Sequence, residues 1–152
     1  MSYSSEDARR QLLDELGTAA DQLAAALASL GEAYQEVDEA TGDKLEEELF
    51  RPVRSAYARA RRTATEFAER QRLPSPAFDP GSAPAYSADP RVHLQRAIDA
   101  TERADHVIAE MQDSMLPVEV GDRELRDGLS QTRELIAAVP AHGRQLLRTI
   151  GR

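Results

Sequence analysis

The sequence predicts an all-α protein, an antiparallel four-helix bundle in a single domain of 152 residues, and three observations predict it. Apolar residues recur at alternating steps of three and four in four separate stretches, the spacing of one face of a helix. Proline, glycine and helix-capping residues punctuate the chain between those stretches. Aromatics are only 5% and tryptophan is absent, so the buried faces must be aliphatic and rich in alanine. A lone amphipathic helix leaves its apolar face wet, so four of them shelter one another.

The first helix is predicted over 5–41. Its seam is Leu13, Leu16, Ala20, Leu23, Leu27, Leu30, Tyr34 and Val37. Small columns edge the seam, with Gly17, Ala24 and Gly31 on one side and Ala19, Ala26, Ala33 and Ala40 on the other. Ser4 or Ser5 supplies the N-cap, and Thr41-Gly42 the stop. The second helix is predicted over 43–72, with Asp43 as cap and Glu46 three residues on as a capping box. Its seam is Phe50, Val53, Tyr57, Ala60, Ala64 and Phe67. Pro52 lacks the donor that a helix needs there and clashes with the carbonyl of Glu48, so a kink or break is expected.

A linker fills 73–88, where Pro74, Pro76, Pro80 and Pro84 stand among Ser, Ala and Gly. Phe78 and Tyr86 lie in it; the rings either pin the linker to a groove or form a docking surface. The third helix, 89–116, opens on Asp89-Pro90 and carries Leu94, Ala97, Thr101, Ala104, Ile108, Met111 and Met115. The fourth, 122–150, is capped by Asp122 and carries Leu125, Leu129, Thr132, Ile136, Val139, Gly143, Leu146 and Ile150, with a second kink expected at Pro140. Short joints make helices 1 and 2 antiparallel, and likewise 3 and 4. The linker could turn at one end or, extended over ~50 Å, run the length of the molecule. The first choice, an up-down-up-down order, is preferred because a short return costs less ordering entropy. The second would make helices 2 and 3 parallel and would bring Pro52 and Pro140 to the same height.

Composition narrows the function classes. A net charge of −8 argues against nucleic-acid binding, which needs a basic surface. No apolar run is long enough to span a membrane. The absence of cysteine excludes disulfides and thiolate metal sites and, with no signal segment in view, points to a cytoplasmic protein. Lys44 is the only lysine against eighteen arginines, which reads as the codon bias of a GC-rich bacterial genome.

Charge is segregated. Residues 32–48 are acidic, whereas the second helix carries Arg51, Arg54, Arg59, Arg61, Arg62, Arg70 and Arg72. The candidate partner contacts are therefore Glu36, Glu39, Glu46 and Glu47 with Phe78 and Tyr86. Arg54 and Arg61 flank the helix 2 seam, either as an anion or acidic-partner site or as partners for Asp14, Asp21, Asp38 or Asp105. A small-ligand pocket under the proline kinks would draw on Phe50, Val53, Tyr57, Val139 and His142.

Catalytic patterns are weak. No Glu-x-x-His pair exists, and His93, His106 and His142 occupy unrelated positions, read as surface or boundary residues. Glu36-x-x-Glu39 and Glu102-x-x-Asp105 are similar in letters to the set by which all-α nucleoside-triphosphate pyrophosphohydrolases hold Mg²⁺. Three of the four point away from their seams, and the further Glu-Glu pair of that pattern is missing. The expectation is a non-catalytic protein that works by contact with a protein partner, a second copy included, with no cofactor and no metal. A small-ligand-binding bundle and a Mg²⁺-dependent nucleotide hydrolase are the alternatives.

Overall fold

The computed structural model describes residues 4–82 and 87–150, and among these there is helix but no strand. Helix α1 spans Ser5–Gln35, started by the Ser4 hydroxyl, which accepts from the Asp7 N–H at 3.0 Å. Leu12, Leu16, Leu23 and Leu30 are fully buried along it, each such side chain stabilising by about 1.5–3 kcal/mol.

The chain reverses earlier than the sequence suggests. The Glu36 N–H turns back to the Ala33 carbonyl at 3.1 Å, and Asp38 caps α2, Glu39–Leu45, by accepting from the Thr41 N–H at 2.7 Å. Those Thr41 bonds hold the Asp38 carboxyl below its ordinary range. Gly42, expected at the joint, lies buried inside α2. A β-carbon there would stand 3.2 Å from the Tyr34 ring, so the glycine serves packing and not the turn. Tyr34 and Val37, read as seam, end the seam instead: Tyr34 is 48% exposed and Val37 sits in the joint.

From α2 the chain continues without a break through a π-helical segment, Glu46–Phe50, into α3, Arg51–Gln71. Of the kink or break expected at Pro52, the break is absent and the disturbance takes the form of a widened turn. The Arg51 N–H reaches back five residues to the Glu46 carbonyl, which makes room for the proline ring. Arg72, at φ 55, ends α3 in the left-handed conformation, with the Leu73 N–H bonded to the Ala68 carbonyl at 2.9 Å.

Helix α4, Pro90–Asp113, starts at the Asp89 cap. A four-residue helix α5, Leu116–Glu119, occupies the next joint. Helix α6, Arg123–Ile136, is capped by Asp122 and gives way to α7, Val139–Ile150. Here the interruption expected from Pro140 is present, at 137–138.

Contacts give the directions. Arg103 donates to the Gln22 side chain at 2.9 Å and Arg9 to the Val120 carbonyl at 2.9 Å, so α1 and α4 run antiparallel. Arg70 bonds Asp122 and Arg59 bonds Gln131 at 2.7 Å, so α3 and α6 do too. Between α3 and α4 the linker climbs along α1. Pro76 lies against Gly17, the Asp79 N–H donates to Asp21 at 2.9 Å, and Gly81 lies on the Ala24 carbonyl. Gly81 has φ +78, and a β-carbon there would be 2.6 Å from that carbonyl oxygen. Helices α3 and α4 therefore point the same way. These registers are opposite to those of the preferred up-down-up-down order. The entropy argument behind that order fails because the strap has a bed of its own, made of the small-residue column of α1.

Buried side chains of α1, α2, α3, α4, α6 and α7 form one apolar cluster, with Phe67, Leu94, Ile98, Ile108, Met111 and Leu125 among the largest. The two buried threonines at seam positions bond their own helices, Thr101 to the Ala97 carbonyl and Thr132 to the Gly128 carbonyl, both at 2.8 Å. No helix among the described residues is long and apolar enough to cross a membrane.

Candidate functional site

The two prolines that disturb their helices lie at one level, though Pro52 lines one hollow and Pro140 another. Pro52 has no N–H for the Glu48 carbonyl, and Pro140 none for that of Ile136. Because α3 and α6–α7 are antiparallel, with Leu49 beside Gly143, both irregular turns reach the same level. The π segment widens one rod and the 137–138 turn bends the other. Between them lies a groove of about 610 Å³, open to solvent. One wall is Glu47, Glu48, Arg51, Pro52 and Ser55; the other is Leu135, Ala138, Val139 and His142. Val139 is buried at the base, and Leu135 remains 38% exposed.

The candidate pocket residues are not brought together. Val139 and His142 line this groove, whereas Val53 is buried in the core. Phe50 makes an edge-to-face contact with Tyr34 of α1, ring centroids 6.3 Å apart, and Tyr57 lies beside Arg61. Those two rings thus belong to the α1 side of the rod. The residues that sequence reasoning missed are Glu48, Arg51, Ser55, Leu135 and Ala138. Leu135, a large apolar residue off its seam, was the available signal.

The acidic candidates spread around one end. Glu36 and Glu39 are exposed at the α1–α2 joint. Glu46 accepts from Arg54 at 3.2 Å, and Glu47 turns to the groove. Arg54 also lies over the Phe50 ring at 5.6 Å. Arg61 sits between two rings, 5.5 Å from that of Tyr57 and 4.8 Å from that of Phe78. Neither arginine pairs with the aspartates considered as its partners; α3's own glutamate neighbour and aromatic faces hold them instead. Phe78 packs on the core from the strap. Tyr86 lies outside the described residues.

A second hollow of about 570 Å³ opens on the other side of the α6–α7 turn, against α4. Two of its three carboxylates are held by arginines: Glu102 accepts from Arg144 at 2.8 Å, and Asp105 from Arg133 at 2.8 Å. The Asp105 hydrogen bond makes Arg133 hold its proton more firmly than usual. Arg103 marks the level of Gln22 on α1, so Glu36 and Glu39 lie roughly 20 Å further along. The two acidic pairs of the Mg²⁺ pattern therefore do not converge. Among the described residues no group of three or more His, Asp or Glu side chains is placed to hold a metal ion.

The histidines divide. His106 is exposed and within 3.0 Å of Glu110, and His142 is half-buried. His93, read as a surface or boundary residue, is instead fully buried at the start of α4. Its Nε2 donates to the Ser87 carbonyl at 2.7 Å, which leaves a buried Nδ1 without a partner.

No family model, curated protein or solved structure matches the chain.

Proposed function

We propose that the chain is a four-helix bundle of up-down-down-up course, crossed by the strap, and that it acts as a non-catalytic protein-interaction module. The seat of contact is the groove between the Pro52 turn and the 137–138 turn, with the acidic end beside it. The observation that carries this reading is the groove itself: two helices hold their irregular turns apart at one level, and apolar side chains are left uncovered between them. Exposed apolar surface held in a concave site is the kind of surface that partners cover.

Two other readings share parts of the evidence. A small-ligand site at the same kinks has the apolar base in its favour, but sites for small molecules bury most of the ligand, and this groove is open along its face. A Mg²⁺-dependent nucleotide hydrolase has only the acidic spacing, and two of its four carboxylates, Glu102 and Asp105, are engaged by Arg144 and Arg133.

Site-specific photo-crosslinking in the native host tests the proposal. A crosslinker placed at Leu135 is expected to give a discrete protein adduct, while one at Thr65, on the exposed face of α3, is not. Equal or absent adducts at the two positions would remove the groove from consideration.

A further inference from the structure

We infer that the groove takes a cationic amphipathic helix of about two turns. The inference rests on the interaction reading above and names the class of partner. Three properties of the groove lead to it.

The first is shape. Both walls are helices running antiparallel, so the space between them is a trench along their axes. A third rod laid in that trench is the complementary object. Strand addition has nothing to pair with, because the described residues include no sheet edge.

The second is length. Glu48, Arg51 and Ser55 on one wall, and Leu135, Ala138 and His142 on the other, each recur at three and four residues. Each wall is therefore about two turns, roughly 10 Å, long. Pro52, Leu135 and Ala138 offer that length of apolar surface to an apolar stripe on the partner.

The third is charge. Glu47 and Glu48 stand on one wall, and Glu134, outside the groove beyond Leu135, lines the adjoining hollow and the one against α4. Glu46, one position earlier, is held by Arg54; among the described residues no ion pair holds Glu47, Glu48 or Glu134. In the groove lining Arg51 is the single arginine or lysine against the two carboxylates Glu47 and Glu48. A partner rim of Lys or Arg meets that pattern, and an acidic rim is repelled by it. The same carboxylates turn away anionic lipid and nucleic acid.

The test is an amide-shift titration of the isotope-labelled chain with synthetic peptides. The probe is an amphipathic peptide of about twelve residues, Leu at i, i+3, i+4 and i+7 and Lys elsewhere. Two counterparts carry Gln or Glu in place of Lys. The expected result is that the Lys peptide shifts the amides of 47–55 and 135–142, and that the Glu peptide does not bind. Replacing Glu47 and Glu48 together by Gln should weaken the Lys peptide about fivefold, the size expected of two exposed charges. Ala138→Trp, which fills the trench from an exposed position, should abolish the shifts while the far-ultraviolet helix signal stays.

The failures are distinguishable. If the Gln peptide occupies the same amides as tightly as the Lys peptide, the cationic class is wrong and the groove survives as a contact site. If the Lys peptide shifts Glu36 and Glu39 instead and ignores Ala138→Trp, the groove reading fails with it. If no peptide shifts the groove amides at millimolar concentration, both fail.

Discussion

Thr63 sits directly on Gly128: a β-carbon built on the glycine would lie 2.2 Å from the threonine hydroxyl oxygen and 2.5 Å from its methyl. The contact joins α3 to α6 at a point where both partners are buried. The Thr63 hydroxyl, the atom nearest that position, donates to the Arg59 carbonyl at 2.7 Å and accepts from the Arg59 guanidinium at 3.1 Å, which holds it in the space a β-carbon would need.

Gly128→Ala should therefore destabilise the protein by about 1–3 kcal/mol, because overpacking outweighs the roughly 1 kcal/mol of helix propensity gained. Gly31→Ala is the control. A β-carbon there meets nothing within 4 Å, and the change should stabilise by about 0.5–1 kcal/mol. Urea denaturation of both variants reads the two signs, and Thr63→Ala should restore most of the Gly128→Ala loss.

Asp122 gives a pH dependence of known sign. Burial alone would push its carboxyl up, but the hydrogen bond from Arg70 and that from the Leu125 N–H together outweigh it, and the carboxyl sits below its ordinary 3.8. Arg70 reaches it through two nitrogens, at 2.7 and 2.9 Å. A carboxyl depressed by folding stabilises above its unfolded value, and the contribution is lost as pH falls through the folded one. Asp122→Ala should cost about 1–2 kcal/mol, the sum of a lost cap and a lost ion pair. In denaturant titrations the gap to the parent protein should be constant above about pH 5 and close as pH drops below about 4. Asp122→Asn, which keeps an acceptor for the Leu125 N–H, should lose only part of this, and its smaller gap to the parent should close over the same range.

The strap should be separable from the core. Phe78 anchors it on Arg61, a contact worth about 0.5–1 kcal/mol at a half-exposed site. Phe78→Ala should speed hydrogen exchange of the Asp79 amide, which is bonded to Asp21, by about two- to fivefold. Exchange in the buried turns of α1 and α4 should be unchanged. Equal acceleration throughout would mean that the strap opens only when the whole molecule does.

Millimolar Mg²⁺ should leave the thermal midpoint where it is. Glu102 and Asp105 would have to leave Arg144 and Arg133, and Glu36 and Glu39 are too distant to complete a ligand set. A rise of several degrees would revive the hydrolase reading, since a ligand bound only to the folded state stabilises it.

How much was legible depended on how local each cause is. The caps at Ser4, Asp89 and Asp122 act within three residues of themselves, and each starts the helix that its position implies. Asp43 is the start expected from the sequence, but it lies inside α2 and Asp38 supplies the cap instead. Packing chose between them, because Gly42 had to face Tyr34 and Leu45 had to reach the core. The consequence of Pro52 was legible as a disturbance but not as a π turn. Leu45, Leu49 and Val53 are all buried, and keeping them on one side favours a widened turn over a broken rod. The candidate site was the least legible part, since Val53, Tyr57 and Val139 share a seam pattern in the sequence but are divided among core, α1 side and groove.

From its residues alone this chain determined four apolar faces, the helices that carry them, most of their caps and the segregation of acid from base. Those follow from spacing, propensity and hydrogen bonds that close within one or two turns. The tertiary structure decided the direction of α4, and with it the groove. The linker was long enough for either course, so its length could not choose. Gly17, Asp21, Ala24 and Arg61, far from the strap in sequence, make the bed on which it climbs, and their sum outweighs the entropy of ordering an extended segment. Only once the strap takes that path do Pro52 and Pro140 stand level.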